Sequence, residues 1–263
     1  GEGTLDSWRG RLALDGGETL AADLALAVGG DGPWRVTADG SATVLAFLPA
    51  DWQFVAAPAL DIAADLSIAE DGAVEIAGIS VEGDALRTRI AGMRAADGAL
   101  GLAIEAETRT DEGWRRAADP LAFDGLALDA QVTGRETAPA LDLSVRIAGP
   151  ALAEGRADGL TVEAQLALAG DALAFNAGGR IEAPSVDDAA MQDLLTNGGA
   201  PPSFALDGRY DMADGTLEID RALVRLATGE IHADGTVVPD PLSADLALTG
   251  ALDDLAALGP LVG

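Results

Sequence analysis

"LGLAIEAETR", residues 100–109, places an aliphatic side chain at every second position. On an extended backbone, Leu100, Leu102, Ile104 and Ala106 fall on one side, and Glu105, Glu107 and Arg109 on the other. The same period runs outward in both directions. "LAADLALAV" (20–28) groups Leu20, Ala22, Leu24, Leu26 and Val28 opposite Asp23, and "LDIAADLSI" (60–68) groups Leu60, Ile62, Ala64, Leu66 and Ile68 opposite Asp61 and Asp65. It continues through "LALDAQV" (126–132), "LDLSVRI" (141–147), "LTVEAQLAL" (160–168), "FALDGRYDM" (204–212) and "LSADLAL" (242–248). About sixteen such segments, each of ordinary strand length, predict a mainly β fold.

Between the segments stand Asp15-Gly16, Asp31-Gly32, Asp71-Gly72, Asp97-Gly98 and Asp214-Gly215, with Gly83-Asp84 and Gly170-Asp171 reversed. Asp-Gly accepts the positive φ that tight hairpins need, so neighbouring segments are expected to be antiparallel, in one long meander. "AVEIAGISVEG" (73–83) changes parity near Gly78, where a bulge would keep its aliphatic residues on one face. Residues 184–202 break the rhythm. "SVDDAAMQDLLTNGGAPP" (185–202) reads as a short helix near 186–196, with Ser185 as N-cap and Asp188 three residues on. Met191, Leu194 and Leu195 form its stripe, and Gly198-Gly199 and Pro201-Pro202 stop it. The organisation expected is a first β block over 1–183, a helical interruption and Pro/Gly linker over 184–202, and a second block over 203–263. The helix reads as a crossover covering one end of the sheet rather than a plug.

The chain has 263 residues, 49% of them apolar, ample for a core. Its aromatics are few, with four Trp, one Tyr and five Phe, so its apolar surface is built from Leu, Val, Ile and Ala. The formal net charge is −28 and every base is Arg, which makes nucleic acid an improbable partner and gives no attraction to an anionic membrane surface. Cysteine is absent, which removes disulfides and thiolate chemistry. No apolar run is long enough to cross a bilayer, and residues 1–15 lack the n- and h-regions of a signal peptide. Any export signal or anchor is expected outside this sequence.

Catalysis finds little support. The one histidine, His232 in "LATGEIHADGTVV" (226–238), falls with Glu230, Asp234 and Thr236, while Ile231, Ala233, Gly235 and Val237 take the other side. It is expected to be a solvated strand residue. No G-x-S-x-G elbow is present, one histidine cannot build a zinc site, and no glycine-rich loop precedes a helix to cradle phosphate. Pairs such as Asp187-Asp188 and Asp253-Asp254 carry no specificity among 44 acids, though both suit helix starts. "GGDG" (29–32) occurs once, without the recurrence of a calcium-binding repeat, and reads as a turn. A non-enzymatic protein without cofactor or metal is expected.

A sheet with one apolar face must bury it on something. A membrane barrel needs two aromatic girdles that this composition does not supply, and a parallel solenoid usually shows a fixed coil period, which is absent. A sealed sandwich and an open groove remain. In a groove, the lining would comprise Leu24, Leu26, Ile62, Leu66, Leu100, Leu102, Ile104, Leu126 and Leu128, then Leu141, Leu143, Val145, Leu160, Val162, Leu166, Leu206, Ile231 and Leu246.

The run of strands ending in Gly, "GTLDSWRGRLAL" (3–14), "FDGLALDAQVTGRETAPALDLSVRIAG" (123–149) and "ATGEIHADGTVVPDPLSADLALTG" (227–250) resemble the periplasmic portion of the AsmA/TamB-like repeating β-groove family. The likeness covers most of the chain at the level of pattern. It implies an open, taco-like groove in the periplasm, in a protein anchored in the inner membrane. It further implies phospholipid as ligand, passing between inner and outer membranes, and an outer-membrane assembly protein as partner. The helix has no counterpart in the family pattern. The alternative is an extracellular or periplasmic β-sandwich, an adhesin-like binding module whose apolar faces would be sealed.

Overall fold

Leu and Ala are good helix formers, yet a two-residue period wound into a helix would scatter the aliphatic side chains around its whole circumference. Only the extended chain collects them on one face, and strand is what forms. A computed structural model describes residues 1–4, 7–30, 32–48, 50–109, 122–152, 155–196, 200–239 and 242–252. The contacts divide the chain into two units, residues 1–119 with 125–136, and residues 120–124 with 137–263.

The first unit holds β1 (Glu2–Thr4), β2 (Ser7–Asp15), β3 (Ala21–Gly29), β4 (Trp34–Thr43), β5 (Leu60–Ile68), β6 (Val74–Glu82), β7 (Leu86–Arg94), β8 (Ala99–Thr108) and β9 (Gly125–Arg135). Each pairs antiparallel with the next, and β1 has β2 as its only neighbour among the described strands. Hairpins carry the meander. At Asp71-Gly72 the Gly72 amide donates to Ala69 O at 3.0 Å, the Ala73 amide donates to Asp71 Oδ1 at 3.0 Å, and Gly72 sits at φ +86°. That is a turn closed by a left-handed residue, with the Asp side chain holding the amide two positions on. Asp97-Gly98 repeats both bonds, Gly98 N to Ala95 O at 3.0 Å and Ala99 N to Asp97 Oδ1 at 3.1 Å.

The second unit holds β10 (Ala138–Ala148), β11 (Ala151–Leu152), β12 (Gly155–Arg156), β13 (Gly159–Ala169), β14 (Ala172–Glu182), β15 (Ser185–Val186), β16 (Ser203–Asp211), β17 (Thr216–Leu226), β18 (Gly229–Pro239) and β19 (Leu242–Leu252). Seven of these pair antiparallel in the order β10-β13-β14-β16-β17-β18-β19, and β11, β12 and β15 form a small sheet of their own. β19 has β18 as its only neighbour among the described strands, as β1 has β2, so the long strands do not close into a barrel. The fold is therefore mainly β, an open antiparallel meander with one short helix.

That helix, α1 (Ala189–Thr196), stands between β15 and β16 in the connection from β14 to β16, which pair directly with each other, and residues 184–202 lie inside the second unit. Its cap differs from expectation. Ser185 is a strand residue opposite Arg156, and Asp188, the last residue before the helix, accepts from the Met191 amide at 2.9 Å. Gln192 adds a second tie, accepting from the Val186 amide at 2.8 Å and donating to Pro184 O at 3.1 Å. The Leu194 side chain, Gly198-Gly199 and Asp253-Asp254 lie outside the described residues. The sequence reading did not anticipate two 3₁₀ turns, Leu45–Phe47 and Ala50–Ala56, between β4 and β5.

Candidate functional site: an uncovered aliphatic face

Register decides which residues share a face. In the first unit, one row across the sheet reads Leu12, Leu24, Gly40, Ile62 and Val81, and another reads Val28, Val36 and Leu66. Further along, Ile90 pairs with Ile104 and Ile104 with Ala130, while Leu102 pairs with Val132 and Ala106 with Leu128. A bulge between Leu66 and Asp65, where β6 spends an extra residue before Gly78, keeps Ile76 and Ile79 on the same side. This is the parity change read near Gly78.

The second unit does the same. Leu141 pairs with Leu166, Val145 with Val162 and Ile147 with Leu160; Leu166 then pairs with Phe175 and Phe175 with Gly208. β17 carries a bulge at Asp220-Arg221 that holds Leu217 and Ile219 with Ala222, Val224 and Leu226. Beyond it, Val224 pairs with Ile231, and Gly235 with Leu246. All the lining residues named from the sequence thus lie on the aliphatic face of their own sheet. Sequence reading missed the β17 bulge, although "LEIDRALVRL" (217–226) shows the parity change that betrays one.

Two properties define this face. Of the described strand residues that share it, only Arg94 is charged, and it stands at the end of β7 holding Glu136. Among the described residues the face is also largely open. The buried aliphatic and aromatic side chains among those residues are Ala42, Ala56, Ala85, Phe123, Ala130 and Leu223, four of them alanine. None of the named lining residues is among them; Ile231 is 47% exposed and Leu246 39%, the others are half-buried, and of the buried residues Ala42 and Ala130 belong to this face. Nor does α1 cover it. The helix touches β17, where Leu223 is 7% exposed and the adjacent Val224 42%, so it packs on the Leu223 side, opposite the aliphatic face.

The other face is held by ion pairs between strands. Arg11 grips Asp23 and Arg35 grips Asp65, and hydrogen bonding by each guanidinium lowers its partner carboxyl below the usual range. Arg221 and Asp207 meet at 2.7 Å, and Arg209 and Glu218 at 2.6 Å. A cavity of about 620 Å³ lies on this polar side of the first unit, with Asp23, Asp39, Asp61, Glu82, Arg11 and the small residues Ala25, Ser41 and Ser80 around it. His232 lies here too. Its Nε2 is 3.0 Å from Glu230 Oε1, on the same strand face and 40% exposed, and its cross-strand neighbours are Leu223 and Thr249. Hydrogen bonding by His232, with Arg225 beside it, lowers the Glu230 carboxyl. The position is a half-exposed hydrogen-bonded pair on the polar side of β18.

Among the described residues no group of three or more His, Asp or Glu is arranged to hold a metal ion, and no helix is long and apolar enough to cross a membrane. Comparison with protein-family models, with curated proteins and with solved structures yields no match for this chain.

Proposed function

We propose that the aliphatic face is a lipid-conducting surface along which phospholipid acyl chains pass, without a chemical step. The observation that carries this reading is the open face of Leu, Ile, Val and Ala, with Arg94 its one charged strand residue among those described, repeated through both units. Soluble proteins rarely leave contiguous apolar patches larger than a few hundred Å² open to water, and those that do commonly use them to bind. Acyl chains suit this face because contact with aliphatic side chains is non-directional, worth about 25 cal/mol per Å² removed from water. A uniform lining has no deep minimum, so a chain can slide while its headgroup stays in water. We place the protein, with the AsmA/TamB-like family it resembles, in periplasmic lipid passage between inner and outer membranes, with an outer-membrane assembly protein as partner.

The test is direct. Lipid extracted from the purified chain is identified by mass spectrometry, and a photoreactive residue is placed either at Val145, on the aliphatic face, or at Glu163, on the other. Lipid is expected in the extract, and crosslinked to position 145 but not to 163. A lipid-free protein, or equal crosslinking from both faces, would return the chain to the binding-module alternative.

A further inference from the structure

A headgroup held against the first unit's aliphatic face would lose part of its water without gaining partners, whereas one at the strand ends keeps its hydration and meets polar groups. The strand ends are therefore where the headgroup is favoured. At the short-hairpin ends of β5 to β9 stand four carboxylates, Glu70, Asp71, Asp97 and Glu136, and two guanidiniums, Arg94 and Arg135. Both guanidiniums are engaged. Arg94 holds Glu136 through Nη2 at 3.1 Å and donates to Gly72 O at 3.2 Å, and Arg135 holds Asp97 at 3.2 Å. The Glu136 amide, donating to Gly98 O at 3.0 Å, ties the same tips together. These six groups are net negative, in a chain whose formal charge is −28.

Resting on the lipid-conducting reading, we infer that the lining selects lipids by headgroup charge, taking zwitterionic phospholipids and disfavouring anionic ones. An anionic headgroup meets an excess of carboxylates at the tips and a field of its own sign around them. A zwitterionic headgroup brings an ammonium for the carboxylates together with its phosphate. It can exchange with the Arg94–Glu136 and Arg135–Asp97 pairs at little cost, since exposed ion pairs are weak.

The experiment compares acyl-labelled phosphatidylcholine and phosphatidylglycerol of identical chains, bound to the full chain at about 20 mM and about 0.5 M salt, concentrations at which screening lengths differ severalfold. Phosphatidylcholine is expected to bind about fivefold tighter at low salt, as befits one unit of headgroup charge near a charged surface. The ratio should fall toward one at high salt. The triple variant Asp71→Asn, Asp97→Asn, Glu136→Gln, with its fold checked by circular dichroism, should narrow the low-salt ratio. Equal or tighter binding of phosphatidylglycerol at low salt, or a ratio indifferent to salt, would overturn the inference and leave the lipid-conducting reading standing. If neither lipid binds, both fall.

Discussion

Gly92 shows how much a single residue contributes to the aliphatic face. It lies inside β7 opposite Leu102 at φ +140°, and a Cβ there would sit 2.0 Å from the Gly101 carbonyl oxygen of the neighbouring strand. Gly40 and Gly235 repeat this geometry on their own strands. Glycine kinks of this sort, together with bulges, bend a sheet toward one face. Gly92→Ala should therefore destabilise the chain by about 2 kcal/mol or more, whereas Gly101→Ala, whose Cβ would meet only Met93 Cγ at 3.9 Å, should cost less than about 1 kcal/mol. Urea unfolding of the two variants measures the difference, and equal midpoints would remove the strain argument. On the polar side, Asp23 is lowered by its hydrogen bond with Arg11, so the stabilisation from that pair exists above the ordinary carboxyl range and is lost as pH falls through the depressed value. The difference in Tm between the parent and Asp23→Asn should accordingly be constant from pH 7 to about pH 5 and shrink below about pH 4. A difference that persists undiminished in stronger acid would mean the carboxylate contributes something other than its charge.

At the scale of elements, the strands were readable because each is an independent statement of the same period. "LDIAADLSI" is β5 residue for residue, and "LDLSVRI" and "LTVEAQLAL" fall inside β10 and β13. Residues 44–58 were not readable, since "VLAFLPADWQFVAAP" has neither a two-residue nor a helical period, and 3₁₀ turns leave no comparable signature. The polar face was equally hidden. Arg11 and Asp23, or Arg35 and Asp65, meet only through a register that alternation leaves undetermined by two residues either way. The helix was legible in place but not in its cap, because Ser185 and Asp188 both suit an N-cap and only the strand pairing of Ser185 with Arg156 decides between them. Asp188→Ala removes the acceptor of the Met191 amide and should destabilise the helix locally by about 1 kcal/mol. Hydrogen exchange should then rise over 189–196 while β14 and β16, which pair with each other independently of the helix, keep their protection. Loss of protection across both strands would show that the helix supports the sheet it connects.

For the molecule as a whole, the question is what the aliphatic faces do when little among the described residues of either unit covers them, and one pair of substitutions separates the possibilities. Leu143 and Val162 lie on neighbouring strands of the second unit, on the aliphatic face and neither fully buried. A carboxylate introduced in a sealed core is cut off from water and costs several kcal/mol, so a binding module with closed faces would lose much of its stability on Leu143→Glu or Val162→Asp. On an open lining the same carboxylate keeps part of its hydration, and its main effect falls on what slides past it. An acyl chain crossing that row would leave the group partly dehydrated at each passage, and the adjacent aliphatic contacts would be interrupted. The unfolding midpoint is therefore expected to move little, by about 1 kcal/mol or less, while co-purified and photocrosslinked lipid disappears. Glu163→Gln, on the opposite face of the same strand, serves as the control and should retain its lipid. Sharp destabilisation by Leu143→Glu and Val162→Asp in a parent that carries no lipid would instead mark the faces as closed in solution, and the conducting role would have to be abandoned.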